Sequence, residues 1–478
     1  MIQTYPIPFK SPESQGVSSK TILALIDNLE ENIHEMHSIM LLRHGSVIAD
    51  GWWSPYAPTT THMLFSLTKS FTSTAVGLAV SEGRLSVEDT VLSFFPEEAP
   101  MNPGNKLEAM RVHHLLSMST GHAVDTTPAL VTSTDGNWVK AFFEQPVEFE
   151  PGTHFLYNSG ASYILSAIVQ KLTRLKLQDY LRPRLFAPLG INEYDWECSP
   201  QDINIGGWGL SITTEAIARF GQLYLQKGVW GGLQLVPSNW VETATLGHVS
   251  NGSNPESDWE QGYGYHFWRC RHRAYRGDGA FGQFCVVMPK QDAVLAITGG
   301  MDDMQPVLNL VWEYLLPGFE PTSLPEDHQT QSHLSTRLTN LKLPMPEGSR
   351  SSGITEEISG NIYTFEANDQ KFRSVCFDFS EEGCFAQFQD ERGDHIVQCG
   401  YVKWLQGNTT LIERQLNLVG CVTWQSEDTL VMTLRFYETP FCYTLTCCFT
   451  DLSITIHVAA NVWFGPKEFQ LIGTRIYN

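Results

Sequence analysis

Ser66 and Lys69 stand three residues apart in the run Phe65-Ser66-Leu67-Thr68-Lys69, a spacing that puts two side chains on one face of a helix. A serine in the first helical turn sits at the positive end of the macrodipole, which favours a developing alkoxide and a nearby oxyanion. The lysine one turn on brings its amine to the hydroxyl. Partial desolvation beside Phe65 lowers the lysine pKa, so the neutral amine becomes available as a base. A serine activated in this way attacks a carbonyl carbon and forms an acyl-enzyme. The motif is short, and its plain alternative is an ordinary helix start.

Two further segments carry groups that would complete such chemistry. Tyr157, in Tyr157-Asn158-Ser159-Gly160, follows the turn Pro151-Gly152 and precedes a helical pattern. A phenol at a loop-to-helix junction enters a cleft and relays a proton between nucleophile and leaving group; the alternative is a buried Tyr with one satisfied hydroxyl. Gly277-Asp278-Gly279-Ala280 leads toward the apolar run Phe284–Met288. Glycines at the start of a strand let a substrate lie close to its edge, and the Ala280 amide would join that of Ser66 as an oxyanion hole. Here the alternative is a Gly-rich hairpin turn.

The elements that must position these groups follow from periodicity. Ile22, Leu25, Ile26 and Leu29 form a helical stripe behind a Ser18-Ser19 cap. Residues 36–53 read as a β-hairpin around Arg43-His44-Gly45. A helix rich in small residues runs from Ser66 through Val80, with others at Ala161–Leu172, Gln178–Leu185 and Thr214–Gln226. GYGYHFWRC, AFGQFCVVM and AVLAIT read as antiparallel strands, and Val307–Leu315 as a closing helix. This order predicts an α/β (α+β) domain over residues 1–317, an antiparallel sheet flanked by helices with a helical subdomain inserted. A Pro- and Ser-rich linker over 318–352 follows. Eight or nine short alternating runs from 353 to 478 then predict an all-β barrel or sandwich.

Composition narrows the function. Lys plus Arg number 31 against 52 Asp plus Glu, a formal charge of −21 over 478 residues. That excess of acid argues against nucleic acid and against an anionic membrane surface as partners. No stretch reaches the length needed to span a bilayer, and MIQTYPIPFKSPESQG lacks the apolar core of a secretory leader, so a cytoplasmic protein is expected. Seven of the ten cysteines lie in the C-terminal third, inside strand-like runs and without a C-x-x-C pair. They read as structural thiols, with neither metal nor cofactor implied.

The order and spacing of Ser66-x-x-Lys69, Tyr157-x-Ser159 and Gly277-Asp278-Gly279-Ala280 resemble the penicillin-recognising serine hydrolases. That superfamily comprises serine β-lactamases, D,D-peptidases, D-aminopeptidases and related family VIII-type esterases. The resemblance covers roughly residues 10–317, including HHLLSMSTGH at 113–122 and GGWGLSITTEAIARFGQLYLQKG at 206–228. It implies the β-lactamase-like fold, with Ser66 as nucleophile, Lys69 as its base or proton relay and Tyr157 as second general acid/base. Ser159 takes the usual Asn place, and Ser159, Asp278, Gly279 and Ala280 form the substrate-binding set. Where the family carries Lys-(Thr/Ser)-Gly or His-x-Gly, this chain has Gly277-Asp278-Gly279, so the cation that contacts a substrate carboxylate is missing unless Arg273 or Arg276 replaces it. The expected activity is hydrolysis of an ester or amide in a small molecule or short peptide. The alternatives are a D-amino-acid peptidase or penicillin-binding protein, and a non-catalytic acylation sensor.

Overall fold

The computed structural model describes residues 6–476 apart from Glu413; the first five residues, read above for a leader, lie outside it. Helix α1 (Ser19–Asn32) starts where expected, its Ser18 hydroxyl accepting from the Thr21 amide. The hairpin follows as β1 (Met36–Arg43) and β2 (Ser46–Trp52). His44 and Gly45 both take positive φ, the conformation that a two-residue hairpin turn requires. Strands β3 (Trp268–Arg269), β4 (Tyr275–Gly279), β5 (Gln283–Met288) and β6 (Ala293–Gly299) complete an antiparallel sheet in the order β2-β1-β6-β5-β4-β3.

Period-2 alternation sorts the strand residues between two cores. Ile39, Leu41, Phe284 and Val286 face α1 and the closing helix, where they meet Leu25, Ile26 and Val311. Met40, Leu42, Cys285 and Val287 face the opposite layer, which holds helix α2 (Thr68–Ser81), helix α3 (Ser159–Thr173) and helix α4 (Thr214–Leu225). Both sheet faces are covered, which is why MHSIMLLR is buried along its whole length. Helix α2 is buried almost all round. Its small side chains admit close neighbours, and a Cβ at Gly77 would lie 2.4 Å from the Trp240 ring.

Several sequence expectations need correction. GYGYHFWRC contributes only the two-residue strand β3, and Gly277–Gly279 is not the start of the following strand but the end of a strand of its own, β4, joined to β5 by a tight hairpin. Two glycines and two charges in five residues hid β4 from a propensity argument. The acidic stretch Glu256–Glu260 reads as a solvated loop, yet Asp258 is buried, accepting from Arg271, Gln305 and Trp312.

The C-terminal strands run β7 (Ile362–Phe365), β8 (Ser374–Phe379), β9 (Gly383–Asp390), β10 (Gly393–Tyr401), β11 (Leu405–Thr409), β12 (Leu416–Trp424), β13 (Thr429–Arg435), β14 (Cys442–Phe449), β15 (Ser453–Ala460) and β16 (Glu468–Arg475). Neighbours pair antiparallel, β7 pairs with β16, and β10 closes onto β12 in parallel. The result is a closed nine-stranded barrel with β11 added at an edge. TLIERQLNLV and CVTWQS read as two runs, yet LNLV and CVTW fall in the one strand β12, and EFQLIGTR is a strand the alternation pattern did not reveal. Residues 328–339 of the intervening segment form a helix whose Leu334 and Leu338 pack into the core behind α1. Among the described residues no helix is long and apolar enough to cross a membrane.

Candidate active site

Ser66 lies in a 3-10 turn, Phe65–Leu67, that leads into α2; the α-helix itself begins at Thr68. Ser66 is partly exposed, whereas Lys69 is 1% exposed. Lys69 Nζ donates to Ser66 Oγ at 2.9 Å, to Ser159 Oγ at 3.0 Å and to the Gly207 carbonyl at 2.7 Å. It also sits 4.7 Å from the centre of the Tyr157 ring. These partners are neutral, so burial dominates and lowers the ammonium pKa from its usual value to about 7. Asp125 and Asp278 pull it back upward from a distance.

Tyr157 comes to the same point from the loop before α3. Asn158 is the buried N-cap of that helix, its carbonyl oxygen accepting from Gly160 N and from Thr126 Oγ1. This cap fixes Ser159 in the first turn, and its short side chain still reaches Lys69. The Tyr157 ring stacks on Trp268 with centroids 5.4 Å apart, and its phenol is within hydrogen-bonding range of Ser66. Burial, then the negative charge of Asp278, raise the phenol pKa far above its normal value, so the group stays protonated.

Strand β4 passes close beside the Ser66 turn. A Cβ at Gly279 would meet the Leu64 carbonyl at 1.9 Å and Ser66 N at 3.1 Å; one at Gly277 would strike Leu67 and Ser70 at 2.5 Å. A side chain at position 277 would therefore have to push the Leu67 and Ser70 side chains aside. Alternation turns Arg276 and Asp278 the other way. Arg276 is fully buried, and its Nε and Nη2 reach Asp278 Oδ2 at 2.9 and 2.8 Å. Its guanidinium lies over the Trp259 and Trp268 rings at 4.2 and 5.6 Å. Asp278, 6% exposed, also accepts from Trp268. Arg273 is exposed. The cation nearest the motif is thus built into the wall under Tyr157.

The residues flanking Ser66 and Ala280 carry unusual backbone. Phe65, just before Ser66, has φ 46°, and Phe281, just after Ala280, has φ 68°. Such values are rare for a bulky residue and cost about 1–3 kcal/mol each. The two rings meet edge to face at 5.4 Å, and the barrel's Phe441 and Phe464 pack on both. The contact between domains continues through Met63 N, which donates to the Glu438 carbonyl at 2.8 Å. Sequence reasoning missed Asp125, Gly207, Trp268 and these barrel aromatics. Gly207 lies in the stretch 206–228 that resembles the family, but no local spacing ties it or the others to Ser66, and tertiary contact brings them to the site.

The model of the family described as Beta-lactamase matches residues 26–303. The 6-aminohexanoate-dimer hydrolase of Paenarthrobacter ureafaciens is 25% identical over 311 residues, 60% of this chain and 78% of that protein. Among solved structures, the octameric penicillin-binding protein homologue from Pyrococcus abyssi superposes with a TM-score of 0.50 at 15% identity, covering 95% of this chain and 99% of that one. A family VIII carboxylesterase gives a TM-score of 0.50 at 16% identity over 66% of this chain and all of its own. A serine and a lysine amine in contact beside a protonated phenol, on a fold shared with these hydrolases and within a sequence match that spans most of the first domain, place the chain in the Beta-lactamase family of hydrolytic enzymes.

Proposed function

We propose that this enzyme cleaves an ester or amide through an acyl-enzyme on Ser66. The observation that carries the reading is the 2.9 Å contact between Ser66 Oγ and a buried Lys69 amine whose pKa lies at about 7. When Lys69 is neutral the contact reverses, and the amine takes the serine proton as Oγ attacks the carbonyl carbon. The Ser66 and Ala280 amides hold the resulting oxyanion. The carbonyl–oxygen or carbonyl–nitrogen bond then breaks, and the leaving group receives its proton from Tyr157, which is reprotonated from Lys69. Water attacks the acyl carbonyl by the same relay run in reverse, releasing the acid and free Ser66.

The wall around β4 shapes the substrate. Position 277 offers no cation and Arg276 is bound internally, so a substrate carboxylate has no partner there. Asp278 is likewise engaged by Arg276 and Trp268. These features favour substrates uncharged beside the scissile bond over β-lactams and D,D-peptides, whose carboxylate needs a counter-charge. A panel of p-nitrophenyl esters, D-amino-acid amides, the 6-aminohexanoate dimer and nitrocefin, run with wild type and Ser66→Ala, tests the reading. Turnover of neutral esters or amides that disappears in Ser66→Ala is the expected result. Undiminished turnover in that variant, or a Ser66 that a fluorophosphonate does not label, overturns it.

A further inference from the structure

A concavity of about 1050 Å³ lies in the barrel rather than beside Ser66. The barrel is asymmetric along its axis. One end is plugged by Tyr363, Phe377, Phe379, Trp424 and Phe449, which pack ring against ring. At the end facing the catalytic domain, Phe388, Leu445, Val458, Phe469 and Leu471 line a cup. Met63 and Trp196 of the first domain form part of its wall. A cup of this size, apolar inside and polar at the rim, has the character of a small-molecule site.

The rim decides which ligand fits. Its three cations are each paired with an acid: Lys371 with Glu391 at 2.9 Å, Arg392 with Asp390 at 2.6 Å and Arg414 with Glu197 at 3.0 Å. Asp195 adds a fourth carboxylate. An anionic ligand would displace an existing ion pair and face a net negative rim, within a chain of formal charge −21. Phe372, Phe441, Tyr443 and Trp463 bring further rings to the lining, whose faces and edges suit an aromatic guest. We propose that the barrel cup binds an uncharged, ring-bearing apolar molecule at a site separate from Ser66.

Two fluorophores with nearly the same ring system test this on the full-length protein: neutral N-phenylnaphthylamine and anionic anilinonaphthalene sulfonate. Saturable binding of the neutral probe is expected, with the sulfonate weaker by about tenfold or more. Val458→Trp, which fills the cup, should weaken the neutral probe by about tenfold. Ser66→Ala should leave it within about twofold, whether or not the enzyme hydrolyses esters. Equal or tighter sulfonate binding, no saturable neutral binding, or an unaffected Val458→Trp protein overturns the proposal. Should circular dichroism show that Val458→Trp does not fold, a neutral benzophenone probe cross-linked to wild type decides the matter. Adducts on residues 441–445 or 469–471 support the cup; adducts confined to other segments, or none, refute it.

Discussion

Lys69 and Arg435 are both buried cations, and their surroundings set opposite fates. Lys69 has only hydroxyls, a carbonyl and an aromatic face within reach, so desolvation lowers its pKa to about 7. Arg435, on the barrel, forms a two-armed pair with Glu35 of the first domain at 2.6 and 3.2 Å. That pairing, with His37 beside it, holds the Glu35 carboxyl down at about 2, and the guanidinium remains charged. An unpaired amine in a dry site becomes a proton acceptor; a paired guanidinium becomes a fastening between domains. Burial is common to both, so the partner decides the role.

The comparison breaks most sharply at the catalytic pair. Ser66→Ala should lower kcat/KM for a neutral ester by about 10⁴-fold or more, and Lys69→Arg by about 10³-fold, because a guanidinium keeps its proton. Steady-state kinetics on folded variants check both. Tyr157→Phe, which removes only the relayed proton, should cost about 10²- to 10³-fold. Arg435→Met should instead leave kcat/KM within about threefold yet destabilise the protein by about 3 kcal/mol, since Glu35 stays partly buried without its partner. Glu35→Leu combined with Arg435→Met should recover most of that loss in urea titrations; an additive double variant would contradict the pairing argument.

Protons sharpen the contrast further. With neutral Lys69 as the proposed base, kcat/KM should rise with pH to a plateau, with its midpoint at about 7. Asp278→Asn removes a charge that raises the Lys69 pKa and should move that midpoint downward; a midpoint that stays or rises would exclude Lys69 as the titrating base. At the seam, burial lowers His37 to about 4 and His62 to about 3, their rings linked by a 3.0 Å hydrogen bond. Folded pKa values below the unfolded one mean that the unfolded chain binds more protons as pH falls. Stability should therefore decline from about pH 6.5 toward 4, seen as a falling Tm. His37→Phe should flatten part of that slope, the smallest of these effects.

The candidate residues that meet in the structure were legible because each sits in a short motif set by local spacing: Ser66 and Lys69 on one helical face, and Tyr157 before a capped helix. The sheet was legible where strands alternate apolar runs with turns, as in β1, β2, β5 and β6. Strand β4 was not, because its glycines serve close approach to the Ser66 turn rather than strand propensity, and its Arg276–Asp278 pair is intelligible only with Trp259 and Trp268 in place. The barrel was legible as a class through its alternating residues. Which runs fuse into one strand, where β10 meets β12, and that one end stays hollow depend on pairings between distant segments that no local pattern encodes.

The aromatic rings that brace Phe65 and Phe281 come from the last forty residues of the chain. A nascent polypeptide emerging from the ribosome owns Ser66, Lys69 and Tyr157 long before it owns Phe441 and Phe464. The turn that holds Ser66 therefore gains this packing only after residues 441–464 have been made, and a product truncated before them carries Ser66 without it.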